Sequence, residues 1–271
     1  MEPDGPPHSD RLRHLEAAME GFVSLLGDGD LEAGIAACPD WNLADLGRHL
    51  DQVHRWARAA AVEGVSDHLV PWGSSERGPL VARYREAADE LLAALRELGA
   101  TTPCWTFGPR PQLTEFWARR QALETAIHLW DAQDSQGVRA PVDEELARDG
   151  VAEVVDLFFP RQVRLGRIPP LPGSVALEIT SPRSPGDGPL PCGDPSLGGD
   201  TAPRTPWRRV LAGDGTGAAS AGDVETDATL RGSAGALLLL LWKRCDLDGG
   251  GIELFGDADT ARAVLSAALT P

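Results

Sequence analysis

In the run RRQALETAIHLWDAQ, residues 119–133, Glu124 stands four positions before His128. On a helix that spacing sets a carboxylate and an imidazole one turn apart on the same face. Apolar Leu123, Ile127 and Trp130 run alongside, which turns the pair towards a core rather than towards water. Taken alone, the spacing also fits an intrahelical hydrogen bond or a buried, satisfied histidine. His49, in LADLGRHLDQVHRW, changes the case. It lies three residues after Leu46 and four before Val53, on the face its own helix should bury. Two inward imidazoles and one carboxylate, drawn from facing helices, make a three-ligand set suited to zinc or a similar divalent ion. Three protein ligands leave one position open, as in a catalytic rather than a structural metal site.

The residues around this set have two readings each. Arg120 precedes Glu124 by one turn and is placed to hold its carboxylate, and Asp131 follows His128 by three and is placed to orient its ring. Either could instead be an ordinary surface salt bridge on a helix. His54 is the competing ligand. It sits five residues after His49, about 140° further round, so it does not easily share the same ion, and its position reads as a polar-face histidine. His8, His14 and His68 fall in a tail or at surface positions.

The elements that must position these groups are helices. After a lead-in over 1–9, Leu12, Leu15, Met19, Phe22, Val23 and Leu26 follow helical spacing and stop at GDGD. A loop with CPDW leads to a second helix over 42–62, with Asp40 or Asn42 as its N-cap. The segment 79–98 opens with Pro79 and closes at Gly99. The fourth helix spans 112–136, and a fifth spans 142–165. Four long amphipathic helices predict an up-down bundle with the fifth alongside, and bundles build metal sites from inward side chains on different helices. This bundle is expected over 10–167.

From 168 the pattern changes. SVALEIT at 174–180 alternates like a strand, and WRRVLAG and GIELFGD read as further strands. Helices are expected over 233–244 and 258–269. Residues 181–206, rich in Pro and Gly, read as an irregular insert. The chain is thus mainly α, a helical bundle followed by a small α+β domain over 168–271.

Asp and Glu outnumber Lys and Arg by 41 to 25, a formal charge of -16. That balance argues against nucleic acid and anionic membrane as partners. Cys38, Cys104, Cys192 and Cys245 form no C-x-x-C pair, so neither a disulfide framework nor a zinc knuckle is expected, and Cys104 reads as a buried structural cysteine or a pocket-lining one. The N-terminus has no apolar signal-like run, and ALLLLLW at 236–242 is too short to span a bilayer, which predicts a cytoplasmic protein.

CPDWNLADLGRHLDQVHRWA, TFGPRP…FWARRQALETAIHLWDAQ and TLRGSAGALLLLLWKR…IELFGD, in that order, resemble three signature stretches of the mycothiol-dependent maleylpyruvate isomerase family. This family lies among the DinB-like metalloproteins of actinobacteria, and the resemblance spans roughly 10–269, the insert excepted. It implies a DinB-like four-helix bundle and a small α+β domain. It also implies a metal, usually zinc, on His49, Glu124 and His128, and mycothiol as thiol cosubstrate. An arginine of the C-terminal domain is expected near the site, Arg244 first and Arg231 second. Leu123 stands where family members often carry a histidine before the glutamate; it belongs to the apolar stripe. The activity implied is thiolate attack on a small electrophile, leading to isomerisation or S-transfer, in a monomer or homodimer. A metal-dependent hydrolase using activated water, or a non-catalytic small-molecule binding protein of the same fold, are the alternatives.

Overall fold

Each long helix starts and stops where the sequence changes chemistry. Helix α1 (His8–Asp28) buries Leu12, Leu15, Met19, Phe22 and Leu26 and ends at Gly29. Helix α2 (Leu43–Val62) begins at a reciprocal cap: the Asn42 side chain accepts the Asp45 N–H at 2.9 Å, and the Asp45 carboxylate accepts the Asn42 N–H at 3.1 Å. Helix α3 (Arg77–Leu98) ends at Gly99, whose φ of 67° lies in the left-handed region that favours glycine. Helix α4 (Thr114–Ser135) carries the Glu124–His128 pair. The loop expected around CPDW contains a small antiparallel hairpin, β1 (Gly34–Ile35) with β2 (Cys38–Asn42).

This computed structural model describes residues 5–67, 71–180, 207–215, 224–248 and 251–271. The Pro/Gly-rich insert and His68 lie outside them. The chain divides into two compact units, residues 1–149 and 150–271.

In the first unit α1 packs on α3 and α4, and α2 packs on the same two helices. The bundle is therefore a square in which α1 lies diagonal to α2, and α3 diagonal to α4. A simple up-down order would make all consecutive helices neighbours. Here the connections over 29–42 and 99–113 are long enough to cross an end of the bundle, and each is held by backbone pairing: Leu43 N–H to Ala33 O at 3.0 Å, Thr114 N–H to Thr102 O at 2.9 Å. The core is filled by Leu15, Phe22, Leu26, Leu46, Leu50, Tyr84, Leu91, Leu95 and Trp117.

The helical run expected over 142–165 is helical throughout, as α5 (Glu144–Glu153), a π-helical turn over Val154–Phe158 and α6 (Phe159–Arg164). The division between units falls inside it, at Asp149/Gly150 rather than after 167. Phe158 packs edge-on against Trp242 with centroids 5.9 Å apart. Apolar content, not the later change to Pro/Gly-rich composition, decides where this segment belongs.

The second unit holds a four-stranded sheet in the order β4 (Trp207–Leu211), β3 (Val175–Ile179), β5 (Ala228–Gly232), β6 (Glu253–Gly256). β3 runs parallel to β5, and the outer pairs are antiparallel. Central β3 buries Val175, Ala176, Leu177 and Ile179. Helices α7 (Ala234–Leu241), capped by Ser233, and α8 (Ala258–Ser266), capped by Asp257, pack on β3 and β5. Across the sheet the register aligns Arg208, Glu178, Arg231 and Glu253 in one row. No helix among the described residues is long and apolar enough to cross a membrane.

Candidate metal centre

The three residues singled out for their spacing converge. One ligand atom from each of His49, Glu124 and His128 can be chosen so that all three lie within 4.8 Å of one another. Glu124 Oε1 is 3.4 Å from His49 Nε2 and 3.4 Å from His128 Nε2. The two imidazoles meet edge to face, centroids 5.1 Å apart. Adjacent helices do this: α2 brings His49 across to α4, 75 positions away in sequence from Glu124.

Helix α4 holds its two donors with a stripe of charge at helical spacing. Arg120 forms an ion pair with Glu124 Oε2, leaving Oε1 towards the imidazoles. Asp131 Oδ2 lies 3.0 Å from His128 Nδ1. A carboxylate there accepts from Nδ1 and fixes the ring, so that an ion arriving at Nε2 would displace only the proton that Nε2 donates to Glu124. Burial opposes ionisation of Glu124, but Arg120 and then hydrogen bonds from the two imidazoles hold its carboxyl well below the usual range. Burial likewise opposes charge on His128, and the Asp131 and Glu124 carboxylates outweigh it, raising His128 to about 9.

The donor set fits a divalent ion. Zinc bound at about 2.0–2.1 Å in a tetrahedral site needs ligand atoms about 3.4 Å apart, the spacing that Glu124 keeps from both Nε2 atoms. The open side is that of His49 and Glu124, whose side chains are 26% and 16% exposed, whereas His128 is buried.

His54 is a correction. It stands outside the ligand set, but it is fully buried, not on a polar face. Its Nε2 lies 3.1 Å from Thr125 Oγ1, and its ring packs 5.5 Å from Tyr84. Helix α2 faces both α3 and α4, so its buried face is wider than the Leu43–Leu46–Leu50 stripe shows. The small residues Ala57, Ala60 and Ala61 were the signal for close packing on this side. Desolvation drives His54 down to about 3. His14 is mostly covered, 3.7 Å from Asp143, rather than freely exposed. Cys104 is half-buried, and burial pushes its thiol up.

The two arginines of the second unit have different surroundings. Arg231 donates to Glu178 at 2.8 Å, faces Glu253 in the register and lies 4.8 Å over the Phe255 ring. Arg244 donates to the Trp242 carbonyl at 2.7 Å and lies 5.5 Å over the Trp242 ring.

Sequence reasoning did not single out Trp41, whose ring stacks obliquely on His49 with centroids 4.9 Å apart. Its place in CPDW, just before the α2 cap, was the available signal.

Two family models match the chain in tandem: the mycothiol maleylpyruvate isomerase N-terminal domain over residues 12–133, and the MDMPI C-terminal domain over residues 145–263. Two solved structures share the fold: a mycothiol-dependent maleylpyruvate isomerase and a histidine-to-alanine mutant of that name. Each is 13% identical, with a TM-score of 0.50 over 87% of this chain and 88% of the other. No curated protein matches the chain in sequence.

Proposed function

The chain belongs to the mycothiol-dependent maleylpyruvate isomerase family, and from that premise we propose that it is a zinc- and mycothiol-dependent enzyme, an isomerase or S-transferase acting on a small electrophile. The observation that carries the reading is the convergence of His49 Nε2, Glu124 Oε1 and His128 Nε2. A divalent ion held by these three would offer an open position at which a thiol is acidified at neutral pH.

The protein's own residues prepare that position. Asp131 fixes the His128 ring by accepting from Nδ1. Arg120 neutralises the outer oxygen of Glu124 and keeps the carboxyl ionised in a buried setting. Trp41 covers the flank of His49. The family resemblance offers two arginines for holding a substrate carboxylate, Arg244 first and Arg231 second. Arg231 already serves Glu178 and stands opposite Glu253. Thiol chemistry of this kind suits the reducing cytoplasm.

The test joins metal content to thiol dependence. Protein purified without chelator carries about one zinc per chain by elemental analysis and turns over electrophiles only when mycothiol is added. Glu124→Ala loses both the metal and the turnover. Stoichiometric zinc with mycothiol-independent hydrolysis would replace the thiol reading by a hydrolase, and a wild-type protein without metal would overturn both. Arg244→Ala, assayed beside Arg231→Ala, should raise KM for carboxylate-bearing electrophiles by about tenfold, the scale of one lost charge-assisted contact.

A further inference from the structure

Beside the cluster, on the side of His49, an aromatic surface continues outward from Trp41. Trp41 touches His49, and Trp72 meets Trp41 edge-on with centroids 6.4 Å apart. Trp72 is 48% exposed, and Trp41 is half-buried. The Arg48 guanidinium lies 4.5 Å over the Trp72 ring and is ion-paired with Asp45.

The position of Trp72 is built, not incidental. The carbonyl of Pro71, the residue before it, accepts from Arg83 Nη2 at 3.0 Å. Arg83 in turn donates through Nε to Asp51 at 2.6 Å, and Asp51 is buried and also accepts from Arg55 at 2.8 Å. After Trp72, a Cβ at Gly73 would stand 2.7 Å from Arg83 Cδ, so the glycine lets this segment lie directly on the arginine. A buried carboxylate with two arginines thus anchors a segment that presents a large apolar ring to water. Exposing such a ring is unfavourable unless something covers it, and anchoring it beforehand lowers the ordering cost of binding.

We propose that Trp72, Trp41 and Arg48 form a stacking shelf beside the cluster that takes a polyhydroxylated saturated ring carried by the thiol. The inference rests on the thiol reading above and extends it to the rest of the thiol molecule. A ligand held by its sulfur near His49 and Glu124 has its remaining atoms on the exposed side of the cluster, where Trp41 and then Trp72 follow. Flat indole rings offer an apolar surface to the C–H face of a saturated ring. Arg48 and Asp45 offer a donor and an acceptor to its hydroxyls. An anionic ligand fits less well, because Asp45 already neutralises Arg48.

The test compares mycothiol, which carries its cysteine on a sugar–cyclitol, with N-acetylcysteine, which lacks those rings. Both are titrated calorimetrically into the zinc-loaded full-length protein. Trp72→Ala should weaken mycothiol about tenfold, equivalent to about 1.4 kcal/mol, and leave N-acetylcysteine and zinc content unchanged. Trp72→Phe should recover most of the loss. Equal weakening of both thiols, or undiminished mycothiol binding, overturns the shelf. If the wild-type protein binds neither thiol, the thiol reading fails, and the shelf is then judged with glucosaminyl-inositol alone. Saturable quenching of tryptophan fluorescence that disappears in Trp72→Ala supports it, and no quenching overturns it.

Discussion

Two rows of alternating charge run through this protein and end in different chemistry. On α4, Arg120, Glu124, His128 and Asp131 follow one another at helical spacing. Across the sheet of the second unit, Arg208, Glu178, Arg231 and Glu253 follow one another at strand spacing. In the sheet, Glu178 is flanked by cations on both sides, Arg208 at 3.5 Å and Arg231 at 2.8 Å. Such a row stabilises strand pairing by satisfying itself. On the helix, the alternation fixes only the outer atoms. Arg120 takes one oxygen of Glu124 and Asp131 takes one nitrogen of His128, so the remaining oxygen and nitrogen turn together towards His49. Alternating charge alone is therefore not a site. A site needs an inner set of lone pairs that the row holds in place and a donor arriving from another element.

The largest expected effect breaks the helix row at its centre. Glu124→Ala should lower zinc affinity by about a thousandfold or more, about 4 kcal/mol, read by competition with a chromophoric chelator. A smaller but sizeable effect concerns the histidine that belongs to neither row. His54 is buried against Tyr84 and Thr125, and its pKa falls from 6.5 to about 3. The unfolded chain therefore binds more protons between those values, and stability falls as the pH falls. Between pH 6 and pH 4 the loss from His54 is on the order of 2–3 kcal/mol. Denaturant unfolding across that range should show it in the wild type, and His54→Gln should remove that component of the slope. Next, Asp131→Asn leaves all three ligands in place but weakens the grip on the His128 ring. Zinc affinity should drop by about tenfold to a hundredfold, read by the same chelator competition. The smallest effect tests the sheet. Glu178→Ala should cost about 1 kcal/mol of stability and leave zinc affinity untouched. A change in metal binding there would mean that the two rows do not differ as described.

The candidate cluster was legible because its residues obey local rules. Glu124, His128, Arg120 and Asp131 share one helix, where spacing alone fixes their order. His49 could be added because Leu46 and Leu50 mark the buried face of α2. The cap was legible only to a choice of Asp40 or Asn42; Asn42 takes it, with Asp45 three residues on closing the reciprocal pair. What stayed hidden depends on neighbours. The burial of His54 follows from α2 packing on two helices at once, which its own apolar stripe does not reveal. The diagonal placement of α1 and α2 comes from a hairpin of very short strands, Gly34–Ile35 and Cys38–Asn42, whose pairing gives almost no alternating pattern. Trp72 escaped notice because its fixation rests on Arg83 and Asp51, far from it in sequence and ordinary in type.

The crossed wiring of the bundle bears on how the site comes into being. His49 meets a helix that starts at Thr114, beyond α3 in the sequence. No pair of consecutive helices contains all three donors, so the cluster is a contact of high sequence separation, the kind whose loop-closure entropy slows folding. An unfolded chain offers only the local Glu124–His128 pair. An ion held by all three donors would discriminate between the finished bundle and everything before it, and by mass action added zinc is expected to raise the unfolding midpoint. The ion would then serve as a timer's last click, registering that every helix has found its place.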